Sequence, residues 1–389
     1  MRVLLAFDKF KDSLTAREAC EIAAGALGKI HPDWRLDLCP LADGGEGFAE
    51  ILTRAAGGRM IAVAVAAPRE GQIAAAFGLV PLRQIPAAAR EQLKLPAGLA
   101  GDAEIAVIEM AAASGLALLP ADRRDPWHTT TRGTGELIRA AVAHGAAAVL
   151  LGVGGSATND LGLGALEALG LDFLTAQNRP VTPPAPARWT EIARLAGKIP
   201  AGFPPVRIAC DVSNPLLGPR GCAVIYGPQK GLLPADLARM EHASARLALM
   251  LTAHCGQPDT LMDRPGAGAA GGIAFGLMTA AGAALLPGAD LVAAWLDLDA
   301  RLAAAGVVLT GEGRFDASSL SGKGPGAVAA RALALGKETH VFAGAVHLPP
   351  PAGLRLHAIT PPGLPLAQAL RAAPELLAKA VASQFSCTA

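Results

Sequence analysis

The sequence predicts an α/β protein of two α/β domains. One is a doubly wound, mostly parallel sheet built from both chain ends, and the second is inserted into it. Three observations lead there. The first third of the chain begins by alternating strand-like and helix-like runs, the pattern of a mostly parallel sheet. Two runs near the end, VVLTGEG and THVFAGA, repeat the character of the first run RVLLAF, a short aliphatic strand opening into glycine or polar residues. Finally, 389 residues are too many for one ordinary core and few for three, and 52% hydrophobic residues with only 4% aromatics leave alanine to carry the core, which suits helices packed closely on sheets.

In chain order, RVLLAF is followed by a helix from Thr15 to about Lys29, the strand RLDLCPL, a helix from about Gly45 to Ala56 and the strand RMIAVAVAA. Residues 78–103 hold three prolines and few strand formers and read as a linker or surface excursion. Then come EIAVIEM, a helix around Gly133 to His144, the strand AAAVLL, a glycine-rich stretch and a helix from about Leu163 to Leu169. After a proline-rich region at 178–206, VRIACDV resumes as a strand. Pro265 to Ala289 is uncharged, but its helix-like part, IAFGLMTAAGAALL, is short and reads as a buried core helix rather than a membrane span. The last two strands flank AVAARALAL. The expected domains are therefore 1–76 with 290–389, and an inserted 77–289.

Composition excludes several classes. A formal charge of +1, from 34 basic and 33 acidic residues spread without long runs, argues against nucleic-acid and membrane partners. The six cysteines lack CxxC spacing, which fits reduced thiols and not structural zinc. The strand beginning at residue 2 is cut by Asp8 and Lys9, leaving no room for the apolar core of a signal peptide, so a cytoplasmic protein is expected.

The stretch GVGGSATNDLGLG, residues 152–164, carries five glycines at a strand end, where bare main-chain amides suit an anionic ligand such as phosphate. No GxxxxGK[ST] occurs, and no GxSxG. Gly152, Gly154 and Ala157 match a dinucleotide fingerprint with Asp172 twenty residues on, but Asp172 opens its apolar segment where a ribose acid should close a strand. Acids recur with glycines, hydroxyls or both in FDKFKDS, ADGGEG, TTTRGTGE, GGSATND, ACDVSNP and TGEGRFD. Amides and hydroxyls suit phosphate oxygens and carboxylates suit a bridging divalent cation, so the set points to phosphoryl transfer. Each cluster alone has a plain structural reading: Gly44 and Gly45 as a turn, Thr134 as a helix start, Lys230 and Lys323 as solvated charges, His128 and His144 as incidental.

Taken together, FDKFKDSL, PLADGGEG, IEMAAASGL, TTTRGTGELI, GVGGSATNDLGLG, ACDVSNPLLG, YGPQKG, PGAGAAGG and LTGEGRFDASSLSGK resemble the bacterial class I glycerate kinases, in family order over nearly the whole chain. The resemblance implies MgATP-dependent phosphorylation of D-glycerate in a cleft between two α/β domains, with 2-phosphoglycerate favoured over 3-phosphoglycerate. In the first motif Lys9 and Asp12 depart from the family's serine and glycine, so only Asp8, Lys11 and Ser13 carry over. Residues 81–102 look like an insertion able to alter a domain edge or an oligomer contact; a homo-oligomer is left open. Within this reading Gly154, Gly155, Ser156, Thr158 and Thr134 contact phosphate or nucleotide. Asp160 and Asp211 ligate Mg²⁺ or accept the substrate hydroxyl proton, with those roles undivided. Lys11 meets the glycerate carboxylate as a catalytic cation, with Asp8, Ser13 and the loop Asp43, Gly44, Gly45 and Glu46 binding substrate. Lys230, Asp316 and Lys323 close the site. Two other readings stay open: an NAD-dependent oxidoreductase of a small hydroxy acid, and a noncatalytic two-domain ligand-binding regulator.

Overall fold

The computed structural model describes residues 1–317, 319–320 and 324–386. Its strands are β1 (Arg2–Phe7), β2 (Arg35–Leu38), β3 (Arg59–Ala66), β4 (Gln72–Pro81), β5 (Glu104–Glu109), β6 (Ala148–Gly152), β7 (Leu171–Leu174), β8 (Arg194–Gly197), β9 (Val206–Ala209), β10 (Ala284–Leu286), β11 (Val307–Phe315), β12 (Glu338–Val346) and β13 (Leu354–Ala358). The chain divides into two compact units, Met1–Asp43 with Val292–Ala389, and Gly44–Leu291.

The first unit holds a parallel sheet ordered β13-β12-β11-β1-β2. RVLLAF thus lies beside VVLTG, which lies beside THVFAGA, as the shared strand-end pattern predicts. Alternation along β1 explains the double winding. Val3, Leu5 and Phe7 join one apolar cluster with Ala19, Ala23 and Leu27 of helix Ala16–Ile30 and with Leu377 and Val381 of helix Leu366–Phe385. The opposite face packs Val341 and Ala343 against Ala329 of helix Gly324–Ala334. Helix Ala16–Ile30 starts at a capping box: Glu18 N–H donates to Thr15 Oγ1 at 3.2 Å, and Thr15 N–H to Glu18 Oε2 at 2.8 Å.

The second unit holds a six-stranded sheet ordered β10-β9-β6-β5-β4-β3, with β5, β6, β9 and β10 parallel and the β3–β4 hairpin antiparallel at one edge. Here the expected organisation is corrected in three places. RMIAVAVAA is β3 of this sheet rather than a third strand of the first, so the first boundary falls after Asp43 and not after residue 76. The presumed linker at 78–103 begins inside a strand, since β4 runs to Pro81, and it also carries the helix Ala87–Leu93. Alanine and glycine in QIAAAFGLVP weaken the strand signal, yet Ala75, Phe77 and Leu79 alternate into the core. The second boundary, expected at 289/290, falls at 291/292. Helix Ala269–Ala281 is a buried core helix as expected, and no described helix is long and apolar enough to cross a membrane. No disulfide joins the described cysteines, and burial pushes the Cys20, Cys39 and Cys222 thiols up to about 12.

Candidate active site

The glycine stretch leaves β6 at Gly152, and its bareness has a tertiary cause. Gly154 N–H donates to Gly44 O at 2.9 Å, and a Cβ on Gly154 would sit 2.7 Å from Gly45 N. Gly155 has φ +70°, and a Cβ there would lie 2.6 Å from Glu46 Oε1. Gly154 therefore presses backbone to backbone against Gly44 and Gly45, which no side chain would permit, and Gly155 faces the Glu46 carboxylate. The Gly154 amide is spent on this contact and is withdrawn as a phosphate donor. The amides of Gly155 and Ser156 take no acceptor among the described residues.

Next along the loop, Thr158 and Asn159 are fully buried, yet Thr158 Oγ1 and both polar atoms of the Asn159 amide have no protein partner. Buried polar groups are nearly always satisfied, so these three atoms mark a place where a polar ligand or solvent completes the loop. Asn159 was not singled out by sequence, because nothing in GGSATND distinguishes a buried carboxamide from a turn residue.

Lys230 is not a mobile surface lysine. It ends the turn Pro228–Lys230, is fully buried, and its Nζ donates to Ser156 Oγ at 2.8 Å and Thr158 O at 2.6 Å. It forms no ion pair with a carboxylate among the described residues. Burial draws its ammonium down to about 8, while Cys222 and Asp160 push the other way. A buried ammonium held only by a hydroxyl and a carbonyl leaves positive charge under the loop, where an anion would be favoured.

Asp160, expected as base or metal ligand, is instead an internal fastener. It is fully buried; Oδ2 accepts from Thr131 N–H and Oγ1, each at 2.8 Å, and from Gly164 N–H at 3.3 Å, and Oδ1 accepts from Gly162 N–H at 3.1 Å. It ties the start of helix Arg132–Ala143 to the start of Leu163–Ala168. Burial raises its carboxyl above the usual range, with these donors opposing. Thr134 is likewise structural, buried in the first of those helices with Oγ1 2.8 Å from Ser114 Oγ. Asp211, half-buried beyond β9, accepts Ala289 N–H at 3.0 Å through Oδ1 and so caps helix Gly288–Trp295. Neither aspartate stands in a group of three or more metal-ligating side chains, and no such group occurs among the described residues.

In the first unit, Asp8 follows β1 and Lys9 Nζ pairs with Asp43 Oδ1 at 3.0 Å. Lys11 is exposed, and Ser13 is half-buried with its hydroxyl donated to Phe10 O at 3.0 Å. Asp316, beyond β11, pairs with Arg314 Nε at 3.0 Å. Glu312 in β11 is half-buried with Oε1 unpartnered, and burial raises its carboxyl. Sequence reasoning does not single out Lys9, the neighbour of Asp8 in the chain, or Glu312, which comes near Asp8 only through the pairing of β1 with β11 more than 290 residues on. Lys323 lies outside the described residues. For the dinucleotide reading, Asp172 falls in β7, which pairs antiparallel with β8 in a separate two-stranded sheet, far from the role of an acid closing a parallel strand.

Comparison with known proteins covers nearly the whole chain. Residues 3–388 match the model of the Glycerate kinase family. The chain is 37% identical over 350 residues to glycerate kinase of Haemophilus influenzae, covering 88% of this chain and 86% of that one. It is 37% identical over 335 residues to glycerate 2-kinase of Escherichia coli K12, covering 85% and 81%. A crystal structure from Salmonella typhimurium LT2, of a protein provisionally named glycerate kinase 2, superposes with a TM-score of 0.74 at 34% identity and covers 99% of this chain and 96% of that one. With a family model matched over residues 3–388 and relatives 37% identical over most of their length, the chain belongs to the glycerate kinase family.

Proposed function

We propose that the protein transfers the γ-phosphoryl group of ATP to D-glycerate, giving 2-phosphoglycerate and ADP. The observation that carries this reading is the buried Lys230 ammonium, unpaired with any described carboxylate, beneath a loop whose Gly155 and Ser156 amides and Thr158 hydroxyl lack protein partners. Phosphoryl transfer asks chiefly for positioned donors and charge neutralisation, and this loop supplies both for phosphate oxygens. The Asn159 carboxamide adds a further donor and acceptor to the same loop.

Magnesium enters this reading as part of the nucleotide. Mg²⁺ keeps several waters and binds through few carboxylates plus substrate phosphates. Asp160 does not fit it, because its oxygens already take four donors. Asp211 offers at most the oxygen not used for the helix cap. The chain's own part is to orient the phosphates and exclude water around Lys230.

Incubation with MgATP and D-glycerate, followed by phosphorus NMR, tests the proposal. A 2-phosphoglycerate resonance appearing with ADP is the expected result. A 3-phosphoglycerate resonance would reassign the hydroxyl, and ATP left unconsumed would overturn the function.

A further inference from the structure

A glycine lets Lys230 reach its buried place. Gly231 has φ +95°, and a Cβ on it would lie 2.2 Å from Arg124 O, so the turn Pro228–Lys230 sits hard against the backbone at Arg124. From there the lysine side chain runs to Ser156 and Thr158. The loop it meets is held by a separate set of bonds. Leu116 N–H donates to Gly155 O at 2.7 Å and Ala157 N–H to Ser114 O at 2.9 Å, with Gly115 and Ser156 forming an antiparallel bridge. The backbone at 155–157 therefore keeps its place without the lysine. All of these residues lie within the unit Gly44–Leu291.

An ammonium can only donate, whereas a serine hydroxyl has one proton to give and two lone pairs to accept with. The 2.8 Å bond from Lys230 Nζ therefore makes Ser156 Oγ the acceptor and leaves the hydroxyl proton to point elsewhere. That proton goes to no acceptor among the described residues, and Ser156 is buried without being sealed, at 8% exposed. The second bond, at 2.6 Å, draws the Thr158 carbonyl toward the lysine. The peptide that follows is trans, which sets its C=O and N–H on opposite sides, so the Asn159 N–H is aimed away from Lys230, and it too has no acceptor among the described residues. Beside the Gly155 and Ser156 amides, these groups make the loop a set of donors, which suits ionised phosphate oxygens because those only accept.

We propose that Lys230 is a positioning residue for phosphate binding: without touching phosphate, it holds Ser156 Oγ as an acceptor and so leaves the Ser156 O–H to donate to a phosphate oxygen of ATP. This rests on the kinase reading above. Burial separates Lys230 from a lysine that clasps phosphate directly, since it is 1% exposed and its Nζ already serves two acceptors inside the protein. The arrangement also depends on the lysine keeping its proton. The groups facing Lys230 are Cys222 of helix Cys222–Tyr226 and Asp160 of the loop, and Glu241 of helix Leu237–Cys255 faces Cys222 in turn. Burial pushes the Cys222 thiol up to about 12, so it stays neutral, while burial draws the Lys230 ammonium down to about 8. Once neutral, the amine offers a lone pair to the Ser156 proton. The hydroxyl then turns inward and the phosphate loses a donor.

The test is KM for ATP and kcat of the full chain with Mg²⁺ and D-glycerate, from about pH 7 to about pH 9.5, for the wild type, Lys230→Met, Ser156→Ala and the double variant, with melting temperatures on the same preparations. Each single variant is expected to raise KM for ATP by roughly tenfold, the scale of a hydrogen bond to a charged group, with kcat changed less. Because both act through one hydroxyl, the double variant should stay within about threefold of the weaker single. Wild-type KM should rise above about pH 8, and Ser156→Ala should flatten that rise. Effects that multiply in the double variant, or a folded single variant with the wild-type KM, overturn the proposal. Should Lys230→Met not fold, a wild-type KM that stays level to about pH 9.5, or an alkaline rise that Ser156→Ala preserves, overturns it instead. A wild type that leaves ATP unconsumed removes the kinase reading, and the same variants are then ranked by calorimetry in their affinity for MgATP. Non-additive losses there keep the positioning role, and a wild type that binds no MgATP removes it as well.

Discussion

Asp8, Lys230 and Asp160 show how burial divides residues of similar local appearance. All three sit in polar motifs at the ends of apolar runs or turns, and all three are at least nine-tenths buried. Asp160 is satisfied by four donors, Lys230 by a hydroxyl and a carbonyl, and Asp8 by one amide. The least satisfied group should cost the fold most when charged. Asp8 titrates at about 7 in the folded chain, against about 3.9 in an unfolded one. Because the folded value is the higher, folding favours the protonated acid. The Asp8 contribution is therefore full below about pH 4 and is lost as pH rises to about 7, opposite to a salt-bridged carboxylate. Each pKa unit is worth about 1.4 kcal/mol, so the loss is on the order of a few kcal/mol. Asp8→Asn should flatten this part of the melting-temperature profile and melt above the wild type at about pH 8. A lower melting temperature for the variant there would contradict the assignment. Lys230 acts in a separate window, since its ammonium, lowered to about 8, adds stability only as pH rises from there towards about 10.4.

At the scale of elements, the glycines after β6 answer to another loop before they answer to any ligand. Gly155 combines a left-handed backbone with a prospective Cβ 2.6 Å from the Glu46 carboxylate, which joins two separable costs. Gly155→Ala should lose about 1–3 kcal/mol for the strained backbone plus a contact cost against Glu46. In a Glu46→Ala background the contact cost should vanish while the strain remains, so a double-mutant cycle read by denaturant melts should show a favourable coupling of about 0.5 kcal/mol or more. Strict additivity would mean that the loop does not rest on Glu46. The Asp211 carboxylate belongs to the same scale: in the chain it follows β9, but what it does is begin a helix 78 positions later.

For the molecule as a whole, each unit holds an apolar cluster of its own. Every residue of the larger cluster lies within 44–291, and the cluster on β1 and β11 draws only on the two chain ends. A contiguous segment with its own six-stranded sheet and core should fold alone. We propose that residues 44–291, produced separately, melt in one cooperative transition with an α/β far-UV signature; a non-cooperative melt would show that the segment needs the chain ends. Sequence by itself determined the α/β class, the union of RVLLAF with the last strands, the buried helix near residue 275 and the place of the glycine loop. These follow from short-range periodicity and turn residues, which a linear reading contains. Only the tertiary structure decided that β3 joins the second sheet, because an aliphatic run does not state which edge it will pair with. It also turned Asp160 and Lys230 inward and set Asp8 beside Glu312. Burial and partnership belong to pairs of residues tens to hundreds of positions apart, and the local sequence carries no record of those distances.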